Sequence, residues 1–292
     1  MSNLIQNRYE FVLLYDVTLG NPNGDPDADN EPRRDDVSDL GLVSGPAIKR
    51  KIRNYVEIAR PKTEGYRIHI TQGAILSDAH NKYLPKGDAL VKPEDLKKAR
   101  DAMCKEFFDV RTFGAVLTNK RKGGNDNVHG PVQIFTSASI DPIQTQRHTI
   151  TRCAVSAEQE GKANQTMGGY WTVPYALYRV HGSVSAPLAA KTGFNQDDLD
   201  LFWESLVNMW EHDRSSSRGE MHPVALAVFK HSTALGNAPS RTLYDRVTVK
   251  RRVDSPLGIS DYAITIDSAV TKGVEIITML APPTPAMASA AA

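Results

Sequence analysis

Residues 9–19, YEFVLLYDVTL, constrain this chain more than any other stretch. They are dense in aromatic and β-branched residues and stop at Gly20-Asn21-Pro22-Asn23-Gly24, so they predict a strand in the middle of a sheet. Residues 21–39 follow with three prolines and six aspartates, which predicts an irregular surface loop. Gly45-Pro46 then opens a helix, with proline where its missing N–H costs nothing. Ile48, Ile52, Tyr55, Val56 and Ala59 recur on one face of that helix, and Arg60-Pro61 ends it.

Downstream, residues 66–87 predict a short strand and then loop, and residues 93–108 a helix buried through Leu96, Ala99, Met103 and Phe107. Residues 109–117 (DVRTFGAVL) read as extended and 132–140 (VQIFTSASI) as a strand, separated by a loop bearing glycine and lysine. Residues 141–172 are polar with poor alternation, which suggests a protruding arm or hairpin. Residues 173–185 return to strand pattern. Asn195, with Asp198 three residues later, caps a helix whose stripe is Leu199, Phe202, Trp203, Leu206, Met209 and Trp210. Residues 224–231 and 262–267 complete the strands, and the alanine- and proline-rich 281–292 predict a disordered tail. The order predicts an α+β domain with a mostly antiparallel sheet, which an RRM-like (ferredoxin-like) βαββαβ core satisfies. We expect one domain over residues 1–280, with a helical insertion at 61–108 and the arm at 141–172.

Thirty-five basic residues stand against 34 acidic ones, for a net charge of +1, so the chain is not basic all over. Its charges are segregated: cations at Lys49-Arg50-Lys51-Ile52-Arg53, Lys120-Arg121-Lys122, residues 147–152 and Lys250-Arg251-Arg252, acids at 25–39 and 197–213. Such segregation permits a local nucleic-acid groove, the alternative being solvated faces. Cys104 and Cys153 show no CxxC spacing, which fits a reducing compartment and no zinc site. With no run approaching a membrane span, the expected location is cytoplasmic. The eight histidines show no HxxxH or HxH spacing, and neither a P-loop, GxGxxG nor GxSxG occurs, so no cofactor is expected and nucleophilic hydrolysis is disfavoured.

Five segments together resemble the backbone subunit family of type I-C Cascade, the CRISPR surveillance complex. They are Asn21-Pro-Asn-Gly-Asp-Pro-Asp27, Ile48-Lys-Arg-Lys-Ile-Arg-Asn54, Asp109-Val-Arg-Thr-Phe-Gly114, Gly130-Pro-Val-Gln133 and His231-Ser-Thr-Ala-Leu-Gly-Asn237. The resemblance implies a hand-shaped, non-enzymatic protein with an RRM-like palm, a helical insertion and a thumb that kinks the guide RNA (crRNA), for which 141–172 is the candidate. It also implies copies joined head to tail along the crRNA, other Cascade subunits as caps, and target DNA as a partner of the assembled complex. Heterologous contacts of that kind grow a filament until capped. Where the family is expected to carry a basic residue after Met167-Gly168, this chain has Gly169-Tyr170.

The candidate RNA contacts are Lys49, Arg50 and Arg53 on the first helix, Arg111, the loop cations Lys120, Arg121 and Lys122, then Arg147, Arg152 and Tyr170. Cations on a rigid helix can track phosphates without reading sequence, and a tyrosine ring can stack on a base. Arg111 sits in an apolar segment and needs an anion nearby, either phosphate or an acidic side chain. Asp25, Asp27 and Asp29, with Asp36 at the twelfth position, loosely mimic an EF-hand loop, but Asn30 replaces the sixth-position glycine, and no metal is expected. The rival function is metal-dependent endoribonuclease chemistry at Asp25 or Asp27, set against ordinary Asp-Pro and Asn-Gly turn formation.

Overall fold

The computed structural model describes residues 3–87, 90–119, 123–151, 167–269 and 271–283. β1 (Tyr9–Gly20) forms as the sequence predicts. The loop behind it carries the short strands β2 (Gly24–Asp25) and β3 (Glu31–Pro32), and β4 (Leu40–Val43) leads into α1 (Gly45–Ala59). Next come α2 (Leu76–Asn81), α3 (Pro93–Glu106), α4 (Phe108–Phe113), β5 (Gly114–Leu117), β6 (Asp126–His129), β7 (Val132–Ile134) and β8 (Ser137–Pro142). β9 (Gln146–Thr151) and β10 (Met167–Val184) precede α5 (Ala186–Thr192), α6 (Gln196–His212) and β11 (Glu220–His231). The chain closes with α7 (Ser240–Tyr244), β12 (Val247–Arg251), β13 (Tyr262–Ile266) and β14 (Val274–Leu280).

The main sheet runs β14-β11-β1-β10-β8-β4, with β7 and β9 also paired to β10, and every pairing is antiparallel. β1 is central. Its Phe11, Leu13, Tyr15 and Val17 face α1 and α6, packing with Ile48, Ile52, Val56, Phe202, Leu206 and Met209. Val12 and Leu14 face the other way, against Leu243 of α7 and Val247 and Tyr262 of the β12–β13 hairpin. Burial on both faces explains why residues 9–19 lack the alternation of a half-exposed strand.

Two expectations are corrected. Residues 109–117 are not extended throughout: α4 occupies 108–113, with all six residues buried. Aromatic and β-branched composition suggested a strand there, but a short helix enclosed on all sides accepts it equally well. Gly114, at φ +80°, ends α4, and a Cβ there would lie 2.2 Å from the Val128 carbonyl oxygen. Residues 66–87 likewise hold no strand beyond a single bridge, Arg67 to Phe107, and contain α2. α2 and α3 contribute to small satellite cores around Met103, Cys104 and Phe107 and around Leu84, Val91 and Ala99.

The stem of the expected arm is a hairpin. Residues 167–172 of β10 run past the end of β1, where Gly20 meets Val173, and pair with β9 from Met167↔Thr151 to Thr172↔Gln146. Its tip, with Arg152 and Cys153, lies outside the described residues, as do the Lys120-Arg121-Lys122 loop cations and residues 284–292 of the tail. No helix among the described residues is long and apolar enough to cross a membrane.

Candidate nucleic-acid interface

α1 is fixed at its start by three contacts. The Ser44 hydroxyl accepts from the Ala47 N–H at 3.3 Å, and Asn23 Oδ1 accepts from the Ser44 N–H at 2.9 Å. Gly45 passes so close to β7 that a Cβ would stand 2.5 Å from the Ile134 carbonyl oxygen. The Asn-Pro-Asn-Gly motif after β1 is therefore a clamp on the helix that carries the cations.

Those cations have different fates. Lys51 is buried in an ion pair with Asp213, which Arg218 also approaches at 3.4 Å. Arg53 is buried against Asp109, Nε to Oδ2 at 2.8 Å, and the same carboxylate accepts the N–H groups of His69 and Ile70. Lys49 is half-buried with its ammonium 5.3 Å from the Phe113 ring centroid; burial, then neighbouring Arg53, lowers its pKa. Arg50 makes no ion pair among the described residues. It lines a groove of about 300 Å³ together with Asn21, Asn23, Asn30, Lys51 and Arg218. Three cations face one carboxylate there, and Asn21 Oδ1 is buried without a hydrogen-bond partner. The excess of positive charge in the groove suits a phosphate met by Arg50, with Arg218 shared between it and Asp213.

Arg111 is a correction. Its anion is Asp198, reached by Nε at 2.8 Å and Nη2 at 2.6 Å, while the guanidinium lies over Tyr66 and Phe108. Asp198 also takes part in the capping box with Asn195, so this pair ties α4 to the start of α6. Arg53 and Arg111 are thus internal ion-pair partners, and neither side chain is more than 9% exposed.

On the arm, Arg147 reaches Asp29 at 3.2 Å and lies over the Trp171 ring. Tyr170 stacks on His148 directly across the ladder, ring centroids 4.9 Å apart at 25°, and His148 Nε2 lies 2.9 Å from the Thr172 hydroxyl. Tyr170 is 40% exposed, and Ile150 on the facing strand is 50% exposed. The acidic loop is built into this arrangement: Asp29 holds Arg147, Glu31 accepts from the Thr145 hydroxyl, and Asp25 accepts from Arg33 and the Asp27 N–H. No group of three or more His, Cys, Asp or Glu side chains that could hold a metal occurs among the described residues. Arg218 was missed by sequence reasoning, because a lone arginine in a serine-rich loop carries no local signal.

The segment His231–Asn237 closes the opposite end of the sheet. Asn237 N–H donates to His231 Nδ1 at 2.8 Å, so Nε2 carries the proton and donates to buried Glu10 at 2.5 Å. Arg8 and the Ser240 hydroxyl complete the ring around Glu10.

A family model described as CRISPR-associated protein Cas7 matches residues 7–267. A curated CRISPR-associated protein Cas7 from Haloferax volcanii is 28% identical over 229 residues, 69% of this chain, and the match spans 65% of the length of that relative. Among solved structures, chains of a CRISPR RNA-guided surveillance complex in a pre-nicking state (TM-score 0.47, 16% identity, 76% of this chain and 75% of the other) and of a second such complex (0.44, 13%, 86% and 72%) are similar. So is a chain of a type III-B Cmr-beta complex bound to cognate target RNA (0.42, 12%, 76% and 61%).

Proposed function

Because the chain belongs to the Cas7 family of CRISPR-associated proteins, we propose that it is a guide-RNA-binding backbone subunit of a type I-C surveillance complex. In this reading several copies line the crRNA head to tail, other subunits cap the row, and the guide is presented to target DNA. The groove at the start of α1 carries the proposal, because Arg50, without an ion-pair partner among the described residues, can meet phosphate from a helix fixed by Ser44, Asn23 and Gly45, with Arg218 beside it. Lys49, Arg147 and Tyr170 supply further contacts, and a base can stack on the open Tyr170 ring. The strand order β11-β1-β10-β8, with α1 between β1 and β8 and α6 between β10 and β11, follows a βαββαβ core and supports an RRM-like palm.

Co-expression with a CRISPR array tests this directly. The purified protein should carry RNA of guide length and an absorbance ratio at 260/280 nm well above that of protein alone; a nucleic-acid-free preparation overturns the reading. The rival reading places metal-dependent cleavage at Asp25 or Asp27. Asp25 is held by Arg33 and by its own turn, which favours the structural role. Single-stranded RNA incubated with protein and magnesium or manganese is expected to stay intact, and cleavage lost on Asp25→Ala or Asp27→Ala would establish the nuclease instead.

A further inference from the structure

The two outer strands of the main sheet are finished differently. On one side β4 is covered by the chain's own residues 33–35: the Leu42 N–H donates to the Arg33 carbonyl at 2.7 Å and the Asp35 N–H to that of Leu40 at 2.9 Å. On the other side β14 pairs with β11 alone, apart from the turn bond of the Val274 N–H to the Thr271 carbonyl at its start. The backbone groups along its outer side therefore have no ladder partner among the described residues. Such an edge is a template for another strand, and folded proteins commonly blunt it with lysine, proline or a very short length. β14 (VEIITML) has seven residues, neither lysine nor proline, and one charge, Glu275, which Lys230 of β11 meets at 3.6 Å. A bulge sets Met279 out of register with β11 and leaves residues 274–278 regular.

Both faces of this edge are apolar. Ile276 packs toward the core around Val12 and Leu14, while Ile277 and Leu280 pack toward the core around Phe11 and Tyr15, and all three are only half-buried. Met279 is 41% exposed. A strand added here would extend both cores, so it needs apolar side chains on both of its faces. The residues that follow β14 do not supply one: Pro282, Pro283 and Pro285 offer no N–H, and residues 286–292 contain no β-branched side chain. β14 itself meets the requirement.

We propose that β14 is the docking edge for the β14 of a second copy, the two strands running antiparallel about a two-fold axis so that the sheets continue across it. The contact is isologous and uses up both edges, so it stops at two copies. It involves no residue of the α1 groove or of the arm, and it stands independently of the guide-RNA reading.

Sedimentation equilibrium of the full chain, freed of nucleic acid by nuclease and high salt, tests this over a concentration series. The protein should pass from monomer to dimer and no further, and deuterium exchange in the peptide covering residues 274–280 should slow as the dimer forms. Thr278→Lys, at an exposed position of the edge, should weaken self-association about tenfold, because each copy brings a charge into the apolar seam. Its melting temperature should not change, and Thr278→Val should leave the dimer intact, as should removal of residues 284–292. A wild type that stays monomeric throughout the series overturns the proposal. So does a dimer that Thr278→Lys leaves untouched, or one that slows exchange elsewhere but not in residues 274–280. A chain that dimerises only once residues 284–292 are removed also overturns it, and makes those residues the occupant of the edge.

Discussion

Arg111 grips Asp198 through two hydrogen bonds of 2.8 and 2.6 Å, with the carboxylate fully buried and the guanidinium 7% exposed. The two residues are 87 positions apart, and their pairing fastens α4 to the capped start of α6. An apolar partner cannot replace either half alone, since the survivor would be a buried, unpaired charge.

Asp198→Ala should therefore destabilise the protein by about 3–5 kcal/mol, and Arg111→Met by a similar amount. The double variant Arg111→Met/Asp198→Leu should recover much of the loss. Urea unfolding of the four proteins checks this, and strict additivity would show that the pair is not coupled.

For nucleic acid, the informative contrast is between neighbours on α1. Arg50→Ala removes an unpaired cation, so folding stability should move by less than about 0.5 kcal/mol while the salt slope of RNA binding becomes shallower by about 0.7. Arg53→Ala should do the reverse, unfolding at lower urea because Asp109 loses its counter-ion. Fluorescence anisotropy over a salt series, beside denaturation curves, separates the two.

The arm can be shortened only at its distal part. Ile143 belongs to the core and Asp141 holds Tyr262 and Arg251, so a deletion starting there would damage the palm. Replacing residues 149–169 with a short glycine linker keeps those contacts, together with Arg147 and its Asp29 partner. Cooperative unfolding should survive and RNA affinity should drop. A broad, non-cooperative transition would show that the arm is part of the folding unit.

His181 gives the fold a pH dependence of defined sign. Its ring lies 4.2 Å from Tyr244 at an interplanar angle of 4°, and burial, then Arg179, lowers its pKa to about 4. The unfolded chain takes up its proton near pH 6.5, so between about 6.5 and 4 the unfolded state binds more protons and stability falls as pH falls. Urea midpoints at pH 7.5 and 5 should differ for the wild type, and His181→Phe should narrow that difference.

Local signals were legible in the sequence and distant ones were not. Pro46, the spacing of Ile48, Ile52 and Val56, and the Asn195–Asp198 capping box each depend on neighbours within a turn or two, and all appear where expected. Arg53 and Arg111 looked like phosphate ligands because their anions, Asp109 and Asp198, are 56 and 87 residues away. Whether a cation on a helix edge is spent inside the fold depends on which carboxylate the tertiary structure delivers. Arg50 and Arg53, three residues apart, had the same appearance and opposite fates. The groove escaped notice for the same reason, since its Arg218 arrives from the loop before β11.

The pairing of β1 has a consequence for the order in which the molecule comes into being. Its two neighbours are β10, from Val173 to Val184, and β11, from Glu220 to Lys230. While the chain is being made, this apolar strand emerges from the ribosome first and finds neither partner. At about 5–20 residues per second, residue 231 follows on the order of ten to forty seconds later. Until β10 is complete at Val184 both edges of the future central strand are open to other nascent chains, and from then until β11 is complete one edge still is.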